Sequence, residues 1–307
     1  MTDIRSEMGR RDTADTAINR YERKETIPLT EWLPYRGVNL YKRWQGPDKI
    51  KPWDRKVTIV IPYLDTCETL DTLISSWKLQ TVDANIVIID TGSSPRHIGI
   101  LDEYEKTDPK IEVHRLRFKA VKHPSDPVAI AMDLAFSLCT TDYLFATHAD
   151  CFPARRDLIE EMIQLRQDTN APVVGYGITP RDDIDTQGWV GHTATLFDMK
   201  QADLLNLAWS QRRYCHLTGI DHFGNNKCNG YPDTEFLINE QLDRANIARH
   251  IIGSESNYVT TNDDNILHVR SYGSAKLYSK KHFQRANTDM SEALKKTESR
   301  INAWRNE

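Results

Sequence analysis

The chain has 307 residues, 39% of them hydrophobic, which at this length is enough for a core and excludes wholesale disorder. With 40 basic side chains against 44 acidic ones the net charge is -4, so there is no chain-wide basic field, and the balance argues against a nucleic-acid partner without forbidding one. The longest apolar run, Val57 to Leu64, is far short of the ~20 residues of a membrane span, the polar N-terminus lacks the apolar stretch of a secretory signal, and the five cysteines follow no disulfide framework, so a cytoplasmic location is expected.

Residues 1–26 are polar and charged, as in a mobile arm or an exposed helix. In 27–54, Pro28, Pro34, Pro47 and Pro52 punctuate Trp32, Tyr35, Tyr41, Trp44 and Trp53; the prolines oppose a helix while the aromatics want burial, which predicts an irregular segment wrapped on the main body. Together these make an N-terminal extension over 1–55. From Lys56 the pattern changes. Val57 to Ile61 reads as a buried strand, and Leu70, Leu73, Ile74 and Trp77 fall at helical spacing. Strand, helix, strand, helix and strand follow at 86–90, 98–106, 111–116, 127–139 and 143–147, then a helix near 155–167. Two more strands are expected at 172–178 and 193–198, and helices near 200–209, over 234–246 and over 276–304. Residues 210–232, rich in Gly, Asn, His and aromatics, suggest an active-site loop or lid. Such alternation predicts one α/β domain over 56–273, a mostly parallel central sheet with helices on both faces, and a charged helical tail over 274–307.

Several chemistries find no support. Gly175-Tyr-Gly-Ile-Thr-Pro180 has a proline where a dinucleotide fingerprint needs its third glycine, and the stretch from Gly224 to Gly230 lacks the Lys-Ser/Thr of a P-loop. No G-x-S-x-G elbow occurs. Cys215, His216, His222 and Cys228 have a spacing that matches no common zinc module.

What remains is a set of acidic residues at strand ends, where an open α/β sheet presents its ligand crevice. The first strand leads to Pro62, Tyr63 and Asp65, the second ends at Asp90 in Asp90-Thr-Gly-Ser-Ser, and another ends at His148-Ala149-Asp150. Carboxylates converging on one sheet edge suit a base, a ribose and a divalent cation.

The runs VTIVIPYLDTCETL, LISSWKLQT and IVIIDTGSS follow the first strand, helix and second strand of the family 2 glycosyltransferases, and the chain resembles that family closely over 56–170 and more loosely to about 273. The resemblance implies a GT-A fold, with a nucleotide-sugar half over 56–170 and an acceptor half over 171–273. It implies an inverting, hexosyltransferase-type enzyme that takes its sugar from a nucleotide-diphosphate donor, with pocket residues compatible with UDP-linked or GDP-linked sugars and UDP the commoner, and gives it to a hydroxyl on a glycan, a lipid carrier or another acceptor. Asp90 would contact the base, with Pro62, Tyr63 and Asp65 lining the same pocket.

Tyr143 to Asp150 resembles the strand into the family's metal-binding D-x-D motif, with His148 at the first acidic position, Ala149 between, and Asp150 retained to bind Mn2+ or Mg2+. His148 would face ribose or metal. Met132-Asp133 departs from the family's Arg-Asn. Gly230 to Ala245 resembles the segment that supplies the general base, which makes Glu235 the first candidate and Asp233 the second. Ile266 to Gly273 resembles a late loop in which His268 would complete the metal site and Arg270 would reach the diphosphate. Trp189 would stack on an acceptor sugar. The altered motif and the missing Arg also raise an alternative, a nucleotide- or glycan-binding protein on this fold with impaired catalysis.

Overall fold

A computed structural model describes residues 57–116, 126–178, 187–201, 207–210, 235–254, 260–269 and 280–307. The expected N-terminal extension lies outside the described residues, as does the glycine-rich stretch after Ser210.

Strand β1 (Val57–Tyr63) is buried along its whole length and sits mid-sheet. It pairs in parallel with β2 (Ala84–Asp90) on one side and β4 (Tyr143–Thr147) on the other, so Val57 faces both Ala84 and Tyr143. Strands covered on both faces must be apolar throughout, which is why these segments read as continuous runs rather than alternations. Beyond β2 lies β3 (Ile111–Arg115), again parallel. On the far side β4 meets β7 (Val190–Asp198) antiparallel, β7 meets β6 (Val173–Gly177) antiparallel, and β6 meets β8 (Arg249–Ser254) in parallel. The seven-stranded order is β3-β2-β1-β4-β7-β6-β8 with β7 alone reversed. A smaller sheet, β5 (Cys151–Pro153), β10 (Ile266–Val269) and β9 (Thr260–Asn262), stands at the end of β4.

The helices are α1 (Cys67–Lys78), α2 (Pro95–Thr107), α3 (Asp126–Leu138), α4 (Leu158–Thr169), α5 (Phe236–Arg244) and α6 (Lys280–Arg305). Leu70, Leu73 and Trp77 of α1, Leu101 of α2, Ile159 and Met162 of α4, and Met290 of α6 pack on one face of the sheet. Ala131, Met132 and Ala135 of α3 with Ile238 and Leu242 of α5 pack on the other. The expected mostly parallel sheet with helices on both faces is therefore what the chain forms. Trp77 pins the first layer. Its ring lies 5.0 Å from that of Phe145, and its indole N–H donates to the Cys151 carbonyl at 3.2 Å.

Two expectations are corrected. The helix near 200–209 begins at Met199, but 207–210 is not helical. The reason is local: the backbone N–H groups of Ala208, Trp209 and Ser210 donate to the side chains of Gln241 and Asp133 instead of to a preceding turn. Residues 266–269, expected as a loop, are the central strand of the small sheet.

Candidate functional site

β1 and β2 end level with each other, Tyr63 opposite Asp90. The chain after β1 turns at Asp65, whose φ of 48° is left-handed, a conformation that Asp tolerates better than most residues. The two loops beyond the strands are tied together. The Asp65 N–H donates to Ser93 Oγ at 3.0 Å, and Asp65 Oδ1 accepts from the Ser94 N–H at 2.7 Å. Asp90 Oδ1 accepts from the N–H groups of Ser93 (2.8 Å) and Gly92 (3.3 Å), so this carboxylate braces its own turn. Pro62 is buried in β1 opposite Ile89. The Tyr63 hydroxyl lies 3.2 Å from His97 Nδ1, and His97 Nε2 lies 3.9 Å from Asp65 Oδ1. Burial first, with Cys67, Glu68 and Asp90 adding, pushes the Tyr63 hydroxyl above its ordinary range, so it stays a neutral phenol. The four residues expected to line a nucleotide pocket thus share one corner. His97 joins them without having been anticipated.

Beyond Thr147 the chain crosses from β4 to β5 through His148, Ala149 and Asp150. Three backbone groups fix this crossing. The Ala149 carbonyl accepts from Thr69 Oγ1 at 2.9 Å, the His148 carbonyl from the Cys151 N–H at 3.2 Å, and the Asp150 carbonyl from the Val269 N–H at 2.9 Å. Since β10 lies antiparallel to β5 with His268 opposite Cys151, His268 arrives beside Asp150. Its Nε2 is 3.5 Å from Asp150 Oδ1, and His148 Nδ1 is 3.9 Å from the same oxygen.

One ligand atom from each of His148, Asp150 and His268 lies within 4.8 Å of the others, the compactness that coordination to a single cation requires. His268 presents Nε2 to Asp150, and its Nδ1 is buried with no hydrogen-bond partner among the described residues. Two imidazoles and one carboxylate are a fitting donor set for a divalent transition ion.

Glu235 occupies the N-cap position of α5. Its carboxylate meets His192 Nδ1, and the His192 ring lies on that of His148 with centroids 4.0 Å apart. The His148 ring in turn stacks on His268 at 5.2 Å. His268, His148 and His192 are therefore in successive ring contact, and the last of them meets the Glu235 carboxylate.

Asn239 of α5 sets the height of this arrangement. Its side-chain amide accepts from the Val190 N–H (2.9 Å) and donates to the Val190 carbonyl (2.7 Å) and to that of Glu235 (2.8 Å). Trp189, expected to offer a face to a sugar, is 7% exposed. Its ring packs edge-on to Phe236 and its indole N–H donates to Asp243 Oδ2 at 2.9 Å. Met132 is core, and the buried Asp133 receives Trp209 and Ser210, which gives the departure at these two positions a structural role.

Asp233 and Arg270 lie outside the described residues. Glu235, His148, Asp150 and His268 are brought together, and Pro62, Tyr63, Asp65 and Asp90 form the adjoining corner at the ends of β1 and β2. Sequence reasoning passed over His192. It stands three residues after Trp189, but only the reversal of β7 beside β4 places it next to His148.

A sequence model of the family described as "Glycosyl transferase family 2" matches residues 58–237. A search of curated proteins gives no significant match. Among solved structures the chain is similar to "Mannosyltransferase PcManGT from Pyrobaculum calidifontis in complex with GDP-Man and Mn2+", at 14% identity and a TM-score of 0.44, over 89% of this chain and 83% of that one. It is similar to S. aureus TarS at 11% identity and a TM-score of 0.38, over 52% of this chain and 34% of that one, so it spans about a third of the TarS chain. A third similar structure is GalNAc-T7 with UDP, GalNAc and Mn2+, at 13% identity and a TM-score of 0.47, over 64% of this chain and 42% of that one.

Proposed function

The chain belongs to glycosyl transferase family 2, and from that premise we propose that it transfers a hexose, with inversion, from a nucleotide-diphosphate sugar to an acceptor hydroxyl, UDP-linked donors being preferred to GDP-linked ones. The observation that supports this most is the meeting of His148, Asp150 and His268 with Glu235 across a single intervening ring. A cation site with a carboxylate base one side chain away supplies the two groups that a displacement at a sugar carbon needs.

The nucleotide lies against the ends of β1 and β2, with Asp90 toward the base and Pro62, Tyr63 and Asp65 as the pocket wall. Asp150 and His268 hold the divalent ion, Mn2+ or Mg2+, with His148 at the same site or turned to the ribose beside Ala149. When bound, that ion supplies charge to the departing diphosphate; Arg270 is the matching cation from the protein. Glu235, with Asp233 as the second candidate, accepts the proton of the acceptor hydroxyl as its oxygen attacks the anomeric carbon. The bond from that carbon to the diphosphate breaks, a glycosidic bond forms on the opposite face, and the nucleoside diphosphate leaves with the electron pair. Trp189 buttresses the acceptor side.

Calorimetric titration of UDP and of GDP, each with and without Mn2+, tests the donor site on wild type and Asp150→Ala. Binding that needs Mn2+ and is lost in the variant is the expected result, and the tighter nucleotide names the base. Absence of binding by either nucleotide to folded wild type sinks the proposal. The altered acidic motif favours one rival, a binding protein with impaired catalysis; that protein would bind nucleotide yet release none from any nucleotide sugar.

A further inference from the structure

We infer that His192 is a positioning residue for the general base, holding the Glu235 carboxylate in the orientation from which it takes the acceptor's proton. The inference rests on the assignment of Glu235 as base.

An ionised carboxylate has only acceptors, so the imidazole nitrogen that meets it, Nδ1 of His192, is the one bearing hydrogen. That contact is made through Oε1 of the carboxylate. The terminal torsion of a glutamate is broad, so a fixed donor selects one orientation of its carboxylate. His192 is itself held. Its side chain is 8% exposed, its ring meets that of His148 at a tilt of 42° with centroids 4.0 Å apart, and Trp209 lies in a T-shaped contact at 6.1 Å. Trp209 is anchored in turn through its backbone N–H, which donates to Asp133 Oδ1 at 2.7 Å. The ring is therefore fixed from the cation-ligand side and delivers its N–H to the base. The carboxylate and the donor site are registered to each other through one side chain.

Two substitutions separate the ring from the hydrogen bond. His192→Phe keeps a flat ring between His148 and Trp209 but has no N–H. His192→Asn loses the ring but keeps a donor close to the position of Nδ1. The readout is nucleoside diphosphate released from UDP- and GDP-sugars with Mn2+ and water as acceptor. The affinity for the nucleoside diphosphate with Mn2+ is measured in parallel by calorimetry, and folding by thermal unfolding. Misplacing a reacting group by an ångström costs about 10²-fold in rate. His192→Phe is accordingly expected to lower kcat about 10²-fold with nucleotide affinity unchanged, and His192→Asn to recover most of the loss.

The outcomes are distinct. If Glu235→Gln turns over like wild type, the base assignment falls and the inference with it. If Glu235→Gln is slow but His192→Phe is not, only the inference falls. Equal losses of kcat and nucleotide affinity in His192→Phe, or no recovery in His192→Asn, would make the residue structural and overturn it. Wild type that turns over no donor would overturn the transferase proposal itself.

Discussion

His148 stands where the resembled family's D-x-D motif has its first acidic residue, and the change matters electrostatically. Two imidazoles and one carboxylate give the cluster a single negative charge, where two carboxylates would give two. Magnesium prefers oxygen ligands and high negative charge, whereas manganese accepts imidazole nitrogen. His148→Asp should therefore raise the affinity for Mg2+ relative to Mn2+ about tenfold, the lower end of what changing the surroundings of a metal does. Displacement of Mn2+ by Mg2+, followed by the paramagnetic resonance of the free manganese ion, measures it; an unchanged ratio would place His148 away from the ion. Asp150 and Glu235 were legible in the sequence because flanking motifs fixed their register. His192 was not, since a lone histidine after Trp-Val-Gly declares nothing until a strand direction is known.

At the scale of elements, α5 docks through amides as well as through apolar side chains. Asn239 pairs with both polar groups of Val190, and Gln241 does the same for Ala208, accepting from its N–H at 3.1 Å and donating to its carbonyl at 2.8 Å. Each amide satisfies a backbone unit at the margin of regular structure: Val190 begins β7, and Ala208 lies in neither helix nor strand. Asn239→Leu keeps the volume but leaves the buried Val190 groups without these partners, and should cost about 1–3 kcal/mol in urea unfolding while displacing Glu235 enough to lower turnover. A second tight place lies between β6 and β7. A Cβ on Gly175 would stand 2.1 Å from Thr195 Oγ1, so Gly175→Ala should cost about 1–3 kcal/mol, read by the same unfolding curves.

The long elements were readable because burial on both sides of the sheet leaves continuous apolar runs. β5 and β9 were missed because three residues are too few to show a period, and β8, Arg-His-Ile-Ile-Gly-Ser, because a charged and polar start hides its short apolar centre. The false helix end at 207–210 shows the limit from the other direction: Asp133 is 76 positions from Trp209, and no local pattern reports that bond.

Over the whole molecule, α6 packs back on α1, with Thr72 Oγ1 donating to Glu298 Oε1 at 3.4 Å. Helix α6 lies in the same core as α1, β5 and β10, with Ala286, Met290 and Ala293 buried there, and Arg156 after β5 donates to the Trp304 carbonyl at 3.4 Å. The helix therefore backs the strand that brings His268 to the site. Met290→Ala should destabilise by about 2–5 kcal/mol, with unfolding still a single transition, because α6 has no core of its own. Two separate transitions in calorimetry would show an independent tail. Among the described residues no helix is long and apolar enough to cross a membrane. The small sheet beside β4 also orders events in time. Asp150 is made 118 positions before His268, which at roughly 5–20 residues per second separates the two by on the order of ten seconds. A nascent chain already displaying Asp150 thus still lacks the imidazole from β10, so the three candidate ligands come together only after β10 has been made.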